Sequence, residues 1–225
     1  MEQLQIAIDG PASSGKSTIA QMIAKELSLV YIDTGAMYRA LTYAALEHGI
    51  DVADESKLLE LLSHMTISFK PTADGQKVYV NDTDITKEIR ENKVSQNVSE
   101  VSAHPHVREA LVKLQKELAG KHSVIMDGRD IGTVVLPDAP VKIFLVASVD
   151  VRAQRRHLEN QSRGISSTFE QIKADLIERD ALDTSRKHSP LKKAMDAIEV
   201  DTTALTIHEV VAKILEIIKQ KMNEG

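Results

Sequence analysis

The sequence predicts an α/β fold: a doubly wound parallel sheet with helices on both faces. Apolar strand candidates alternate with amphipathic helix candidates along most of the chain. A glycine-rich loop joins the first strand candidate, residues 4–8, to the first helix candidate, residues 18–27. Residues 141–147 are almost continuously apolar, which is typical of a parallel strand covered on both sides.

The loop after the first strand fits the pattern G-x-x-x-x-G-K-[ST], the Walker A phosphate loop. Backbone N–H groups of such a loop, and of the helix that it opens, converge on a phosphate group. Lys16 adds a positive charge for the β- and γ-phosphates of ATP, and the Ser17 hydroxyl is placed to ligate Mg²⁺. The predicted ATP-binding residues are Gly10, Pro11, Ala12, Ser13, Ser14, Gly15, Lys16, Ser17 and Thr18.

The composition limits the class of protein. A chain of 225 residues can hold one α/β domain with a modest insertion, and its 42% hydrophobic content is ordinary for a globular protein. The net charge of −5 argues against a general affinity for nucleic acid or anionic membranes. The absence of cysteine excludes disulfides and thiol catalysis and suits a reducing cytoplasm. Because no apolar run reaches about 18 residues, we expect no membrane span. Because phosphate-loop residues directly follow the first strand candidate, we expect no signal peptide.

The first half of the chain continues with a short strand at 30–32 and a helix from about 34 to 48, which either Thr34 or Asp33 can cap. A shorter helix is predicted at 54–62. The pattern then changes to two alternating strands, 65–69 and 77–80, with turns at Ala73-Asp74-Gly75 and Asn81-Asp82 and a short polar helix after them. This antiparallel insert, residues 63–97, is either a surface decoration or a lobe that closes over a substrate.

The second half returns to alternating helices and strands. Helices are predicted at 105–118, 151–160, 168–180 and 207–222, and strands at 123–126, 141–147 and 197–200. In a parallel sheet, ligands bind beyond the carboxyl ends of the strands. The phosphate loop and the segments after the later strands should therefore meet along one edge of the sheet.

Charged residues follow the strand at 123–126. Asp127 stands at the Walker B position, where a carboxylate can hold Mg²⁺; the alternative is a helix or turn cap. Arg129 and Asp130 come directly after it. They form either a solvated turn or, beside a phosphate loop, an anion clamp and a polar recognition group.

Two further charged groups have both a structural and a functional interpretation. Arg152, Arg155, Arg156 and Arg163 form a basic run that is either a solvated helix face or a mobile arginine lid, residues 152–164, over the transferring phosphates. Arg179, Asp183 and Arg186 share one helical face if the helix persists, and they form either a salt-bridge ladder or part of a site.

Three classes of function fit a phosphate loop. A regulatory GTPase needs an N-K-x-D motif, and residues 92–95 read N-K-V-S, without the aspartate. A non-enzymatic ATP-gated binding module would not need the arginine clusters beyond the loop. A small-molecule or nucleotide kinase needs a second anion site, which Arg39, Arg129 and the later arginines offer. Phosphoryl transfer works mainly through positioning, charge neutralisation and exclusion of water.

The longer motifs together resemble the bacterial cytidylate kinase family. They are the phosphate loop, DTGAMYR at 33–39, DGRDIGTVV at 127–135, PDAPVKIFL at 137–145, and ERD at 178–180 leading to Asp183 and Arg186. The resemblance covers essentially the whole chain. It implies Mg²⁺-dependent transfer of the ATP γ-phosphate to CMP or dCMP in pyrimidine nucleotide metabolism. It also implies a kinase core at 1–62 and 98–225, an acceptor-binding insert at 63–97 and a lid at 152–164. Separately from the resemblance, we expect a cytoplasmic monomer without nucleic acid or membrane partners.

The resemblance also implies roles for individual residues. Lys16, Arg129, Arg156 and Arg179 fall at catalytic positions, and Ser17 and Asp127 at the metal position. Ser99, Arg108 and Asp130 fall where the family reads cytosine, and a carboxylate there accepts a hydrogen bond from the cytosine N4 amine. The full set implied to bind the acceptor nucleotide is Thr34, Tyr38, Arg39, Ser99, Arg108, Arg129, Asp130, Arg179, Asp183 and Arg186.

Overall fold

The computed structural model describes residues 3–72 and 75–223 and divides them into two compact units. The first unit comprises the described residues up to Tyr31 and from His122 onward. The second unit runs from Ile32 to Lys121. In the part of the chain that is described, every helix is too short or too polar to cross a lipid bilayer.

A five-stranded sheet is the centre of the first unit. Its strand order is β2-β6-β1-β7-β8, and β1 pairs in parallel with both β6 and β7, as β7 does with β8. The predicted α/β fold class with a parallel sheet is therefore confirmed. The strands are β1 (Gln5–Asp9), β2 (Val30–Asp33), whose last two residues begin the second unit, β6 (Val124–Gly128), β7 (Val141–Val146) and β8 (Ile198–Asp201).

Helices pack against this sheet through apolar side chains. Ile6, Ile8 and Ile143 of the strands share a buried cluster with Ile19 of the first helix and Ile214 of the last. The central strands read as apolar runs because their side chains are buried. The helices of this unit are α1 (Lys16–Glu26), α6 (Val149–Ser162), α7 (Phe169–Ser185) and α8 (Ile207–Asn223).

The second unit combines four helices with a small antiparallel sheet. In the sheet, β3 (Ile67–Thr72) pairs with β4 (Gly75–Val80), and β4 pairs with β5 (Thr83–Asp84). The helices share an apolar core that includes Leu41, Leu58, Val98 and Leu111. They are α2 (Thr34–Glu47), α3 (Glu55–Ser63), α4 (Asn92–Val101) and α5 (Pro105–Ala119).

The antiparallel strands fall inside the predicted insert at 63–97. The second unit extends beyond that insert because helices α2, α3 and α5 belong to it as well. The short polar helix predicted after β5 is a 3-10 turn, Glu88–Arg90. Ala73 and Asp74, the first two residues of one predicted turn, lie outside the described residues.

Two elements have no counterpart in the sequence-based prediction. Helix α4 buries only Val94, Val98 and Val101 and is otherwise polar, so its apolar stripe is narrow. A π-helical turn, Ile131–Val135, follows β6. Such turns are rare and are often found at functional sites.

Candidate active site

The phosphate loop lies between β1 and α1 and depends on its two glycines. Gly10 has a φ of 149°, and a Cβ built there would stand 2.1 Å from the carbonyl oxygen of Leu145. Gly15 has a φ of 94° and precedes the first residue of α1. Both positions need backbone that other residues rarely adopt. The loop therefore has the strand, turn and helix N-terminus that a phosphate-binding loop requires.

Lys16 is a buried cation inside this loop. Its Nζ donates to the carbonyl oxygen of Pro11 at 2.6 Å and to Oγ of Ser14 at 3.3 Å. Burial, with the nearby charge of Arg129, holds the pKa of Lys16 well below its ordinary value. A buried ammonium group of this kind is poorly solvated, and an anion that binds beside it stabilises its charged form.

Ser17 and Asp127, the two residues predicted to hold the metal, are in contact. Oδ2 of Asp127, near the end of β6, accepts a hydrogen bond from Oγ of Ser17 at 2.8 Å. Its Oδ1 accepts one from the Tyr31 hydroxyl at 2.7 Å, so Tyr31 fixes the orientation of the carboxylate. Sequence reasoning missed Tyr31. A carboxylate and a hydroxyl in contact are the hard oxygen ligands that suit Mg²⁺.

Within residues 3–72 and 75–223, no group of three or more His, Cys, Asp or Glu side chains forms a self-sufficient metal site. Mg²⁺ commonly takes only one or two protein ligands and completes its shell with phosphate oxygens and water. The pair Ser17 and Asp127 therefore fits a metal that arrives with a nucleotide.

A cluster of guanidinium groups surrounds Asp183 of α7. Nε of Arg129 donates to Oδ2 of Asp183 at 2.8 Å, and Nη2 of Arg186 lies 3.7 Å from its Oδ1. Burial alone would raise the pKa of Asp183, but the charges of Arg129, Arg179 and Arg186 hold it below its usual value. Arg129, Arg179 and Arg186 thus share the carboxylate of Asp183, and guanidinium groups form strong charge-assisted hydrogen bonds with phosphate.

The cluster differs from the ladder that the sequence also allowed. Helix α7 ends at Ser185, and Arg186 has extended backbone with φ −54° and ψ 134°. Arg129, which makes the shortest of these contacts with Asp183, comes from the end of β6 rather than from α7. The interpretation as part of a site therefore fits this arrangement better than an intrahelical ladder.

Asp130 is buried and directly precedes the π-helical turn. A second carboxylate, that of Asp9, binds the backbone of this turn, and sequence reasoning missed it. Asp9, the last residue of β1, accepts hydrogen bonds from the backbone N–H groups of Ile131 and Gly132, each at 2.8 Å. Burial raises the pKa of Asp9 to about 6, and the charge of Asp130 adds to that rise. The only signal in the sequence was an aspartate at the junction of an apolar strand and a glycine loop.

The arginines of α6 have fixed partners. Arg152 bonds the carbonyl oxygens of Ala147 and Ala12 and pairs with Asp180. Arg155 bonds the carbonyl oxygen of Thr202 at 2.7 Å. These two side chains anchor the helix, because backbone carbonyl oxygens satisfy them.

Arg156 is placed differently from these two anchoring arginines. Its Nε lies 3.2 Å from Oγ of Ser13 in the phosphate loop. Among the arginines at positions 152, 155 and 156, it alone donates to a side-chain oxygen of that loop. Arg163 pairs with Glu159 at the end of α6.

The second unit holds its own group of predicted residues. Asp33 caps α2 by accepting from the N–H of Ala36 at 2.8 Å, and it pairs with Arg39 at 2.7 Å. Burial acts to raise the pKa of Asp33, but Arg39 and Arg90 lower it overall. Of the two predicted caps, the structure selects Asp33, and Thr34 is the first, buried residue of α2.

Tyr38, Arg108 and Ser99 are linked within this unit. The guanidinium carbon of Arg108 lies 5.2 Å from the centre of the Tyr38 ring, a cation–π contact. Nη1 of Arg108 donates to the carbonyl oxygen of Ser102, whose hydroxyl donates to the carbonyl oxygen of Ser99. The structure thus places the predicted residues in two groups, one in each unit.

The fold and the phosphate loop of the first unit together define a P-loop protein. A solved structure of an uncharacterized protein from Eubacterium ventriosum has the same fold, with a TM-score of 0.51 and 12% identity, over 96% of this chain and 99% of that one.

Residues 6–220 match the family model for cytidylate kinase. A cytidylate kinase from Lactobacillus johnsonii is 58% identical over 218 residues, which cover 97% of this chain and 95% of that protein. One from Bacillus cytotoxicus is 54% identical over 223 residues, 99% of each chain. The chain therefore belongs to the cytidylate kinase family.

Proposed function

We propose that this chain transfers the γ-phosphoryl group of ATP to CMP or dCMP and releases ADP with CDP or dCDP. The observation that carries the proposal is the contact of Ser17 with Asp127 beside the buried Lys16, in a member of the cytidylate kinase family. An oxygen of the acceptor's α-phosphate attacks the γ-phosphorus, and the bond from that phosphorus to the β–γ bridging oxygen breaks. The acceptor is already anionic near neutral pH, so no general base is required.

On the donor side, the loop from Gly10 to Thr18 binds the ATP phosphates, and Lys16 neutralises the β- and γ-phosphates. Ser17 and Asp127 hold Mg²⁺, which supplies further charge neutralisation when bound. Arg156 is the lid arginine that reaches the transferring group, because its guanidinium already lies against Ser13. Arg152 and Arg155 keep α6 in place.

On the acceptor side, Arg129, Arg179 and Arg186 neutralise the CMP phosphate, and Arg39, Thr34 and Tyr38 hold the same nucleotide. The insert at 63–97 is the acceptor-binding part, the segment at 152–164 is the lid, and the rest is the kinase core. All ten residues proposed to bind the acceptor fall in the core ranges 1–62 and 98–225, outside the insert and the lid.

Asp130, with Ser99 and Arg108, reads the base. Cytosine presents a donor amine at N4, whereas uracil presents an acceptor oxygen to the same carboxylate. Leaving two acceptors face to face costs about 1–3 kcal/mol, so Asp130 favours CMP over UMP. Asp183 bonds the ribose 2′-hydroxyl, but its pairing with Arg129 gives it another partner when that hydroxyl is missing, so dCMP is accepted as well.

The enzyme works as a monomer in the cytoplasm and needs no nucleic acid partner. The net charge of −5 supports the absence of a nucleic acid partner, and the absence of cysteine suits the cytoplasm.

An ADP-release assay with CMP, dCMP, UMP and AMP tests the function. We expect CMP and dCMP to be the best acceptors, with kcat/KM values within about a thousandfold of each other. Rapid ADP release without any acceptor would indicate an ATPase, and a clear preference for UMP or AMP would contradict the choice of base.

A further inference from the structure

Asp9 binds the backbone that follows Asp130. Its Oδ1 accepts from the N–H of Ile131 and its Oδ2 from the N–H of Gly132, both at 2.8 Å, and the residue is 4% exposed. The first N–H groups of a helical turn have no acceptor within that turn. Asp9 therefore acts as a cap for the turn at 131–135, supplied by a neighbouring strand.

This cap fixes the peptide unit that joins Asp130 to Ile131 at both ends. Its N–H belongs to Ile131 and bonds Asp9, while its carbonyl oxygen belongs to Asp130 and accepts from the N–H of Val134 at 2.9 Å. Rotation of this unit would break both bonds. Asp9 therefore helps to fix the backbone from which the Asp130 side chain extends.

Gly132 allows the close approach on which the cap depends. A Cβ at this position would lie 3.4 Å from Oδ2 of Asp9 and 3.3 Å from Cδ of Lys142. Lys142 has little freedom to move, because its Nζ bonds the carbonyl oxygen of Pro137 and pairs with Asp196. Gly132 is thus packed between the carboxylate of Asp9 and the side chain of Lys142.

We propose that Asp9 is a positioning residue for base selection: it sets the orientation of Asp130 through the N–H groups of Ile131 and Gly132. This inference rests on the proposed function, in which Asp130 reads cytosine. Asp9 itself touches neither base nor phosphate in this account, since both of its oxygens are occupied by the turn.

The substitution Asp9→Asn tests the proposal with little change in size. The amide keeps one acceptor oxygen but turns an NH₂ group toward the second N–H, so one end of the cap is lost. The readout is the ratio of kcat/KM for CMP to kcat/KM for UMP. This ratio does not depend on how much of the sample is folded, because both values scale with the same active fraction.

We expect the ratio to fall by about fivefold or more in Asp9→Asn, the range expected when a buried hydrogen-bond partner is displaced. The matched control is Asp201→Asn. Asp201 also ends a strand of the same sheet and accepts a backbone N–H, that of Thr203, at 2.8 Å, but it is exposed. Its ratio should stay at the wild-type value.

Gly132→Ala perturbs the same contact by placing a methyl group next to Oδ2 of Asp9. This variant tests the positioning role of Asp9 if Asp9→Asn does not fold. It should lower the ratio in the same direction. A normal ratio in the folded variant, with both kcat/KM values reduced equally, would overturn the proposal and leave Asp9 a purely structural residue. If the wild-type enzyme itself shows no preference for CMP, the proposed function fails instead, which is a distinguishable result.

Discussion

Removing the carboxylate of Asp183 should destabilise the protein through the guanidinium groups that it leaves behind. The Asp183 side chain is 6% exposed and that of Arg129 is 19% exposed, and they are joined at 2.8 Å. Breaking a buried pair by removing one partner costs about 3–5 kcal/mol. Since Arg129 keeps part of its surface in water, we expect Asp183→Asn to lower the free energy of unfolding by about 3 kcal/mol at neutral pH.

The effect should depend on pH with a definite sign. The folded-state pKa of Asp183 is lowered by Arg129, Arg179 and Arg186 against the opposing effect of burial. A lowered pKa means that the stabilisation is complete above the ordinary aspartate pKa of about 3.9 and is lost as the pH falls through the folded-state value. The stability difference between the wild type and Asp183→Asn should therefore shrink as the pH falls below about 3.9.

Urea unfolding followed by circular dichroism at pH 7 and at pH 3 measures both effects. Asp150→Asn is the control, because Asp150 pairs with Lys173 with both side chains exposed, and such pairs contribute only about 0–1 kcal/mol. If Asp183→Asn costs less than about 1 kcal/mol at pH 7, or the same amount at both pH values, the assignment of a buried charge cluster is wrong.

Three further substitutions test single roles in the site. Lys16→Met should lower kcat/KM by about 10²–10³-fold or more, because it removes the cation proposed to neutralise the β- and γ-phosphates; near-normal turnover would refute that role. Asp127→Asn should raise the Mg²⁺ concentration for half-maximal activity by about tenfold or more, and an unchanged requirement would move the metal site elsewhere. Asp130→Ala should reduce the CMP over UMP ratio by about tenfold; an unchanged ratio means that another group reads the base.

The sheet and most helices were predictable from the sequence because burial imposes clear patterns on them. Strands β1, β6 and β7 are apolar since they lie inside the sheet, and α8 has a strong apolar stripe. Helix α4 escaped prediction because Val94, Val98 and Val101 are its only apolar residues and the rest of its sequence is polar. The π-helical turn after β6 escaped because its N–H groups are satisfied by Asp9, far away in sequence.

The candidate site likewise contains contacts that could be predicted from the sequence and contacts that could not. The contact of Ser17 with Asp127 followed from two motifs at strand ends. Tyr31 and Asp9 did not, because a lone tyrosine or aspartate in a strand carries no pattern until its partner is known. The hydrogen bonds of Arg152 to backbone carbonyl oxygens could not be predicted either, because every residue has such an acceptor and the sequence does not distinguish one from another.

Following the γ-phosphate itself tests the central claim most directly. The purified chain would be given ATP labelled in its γ-phosphate, with CMP and Mg²⁺, and the products separated over the time course. The account predicts that the label moves into CDP in equal amount to the ADP formed, with little inorganic phosphate. Label released as inorganic phosphate, or left in ATP while CMP is unchanged, would contradict it.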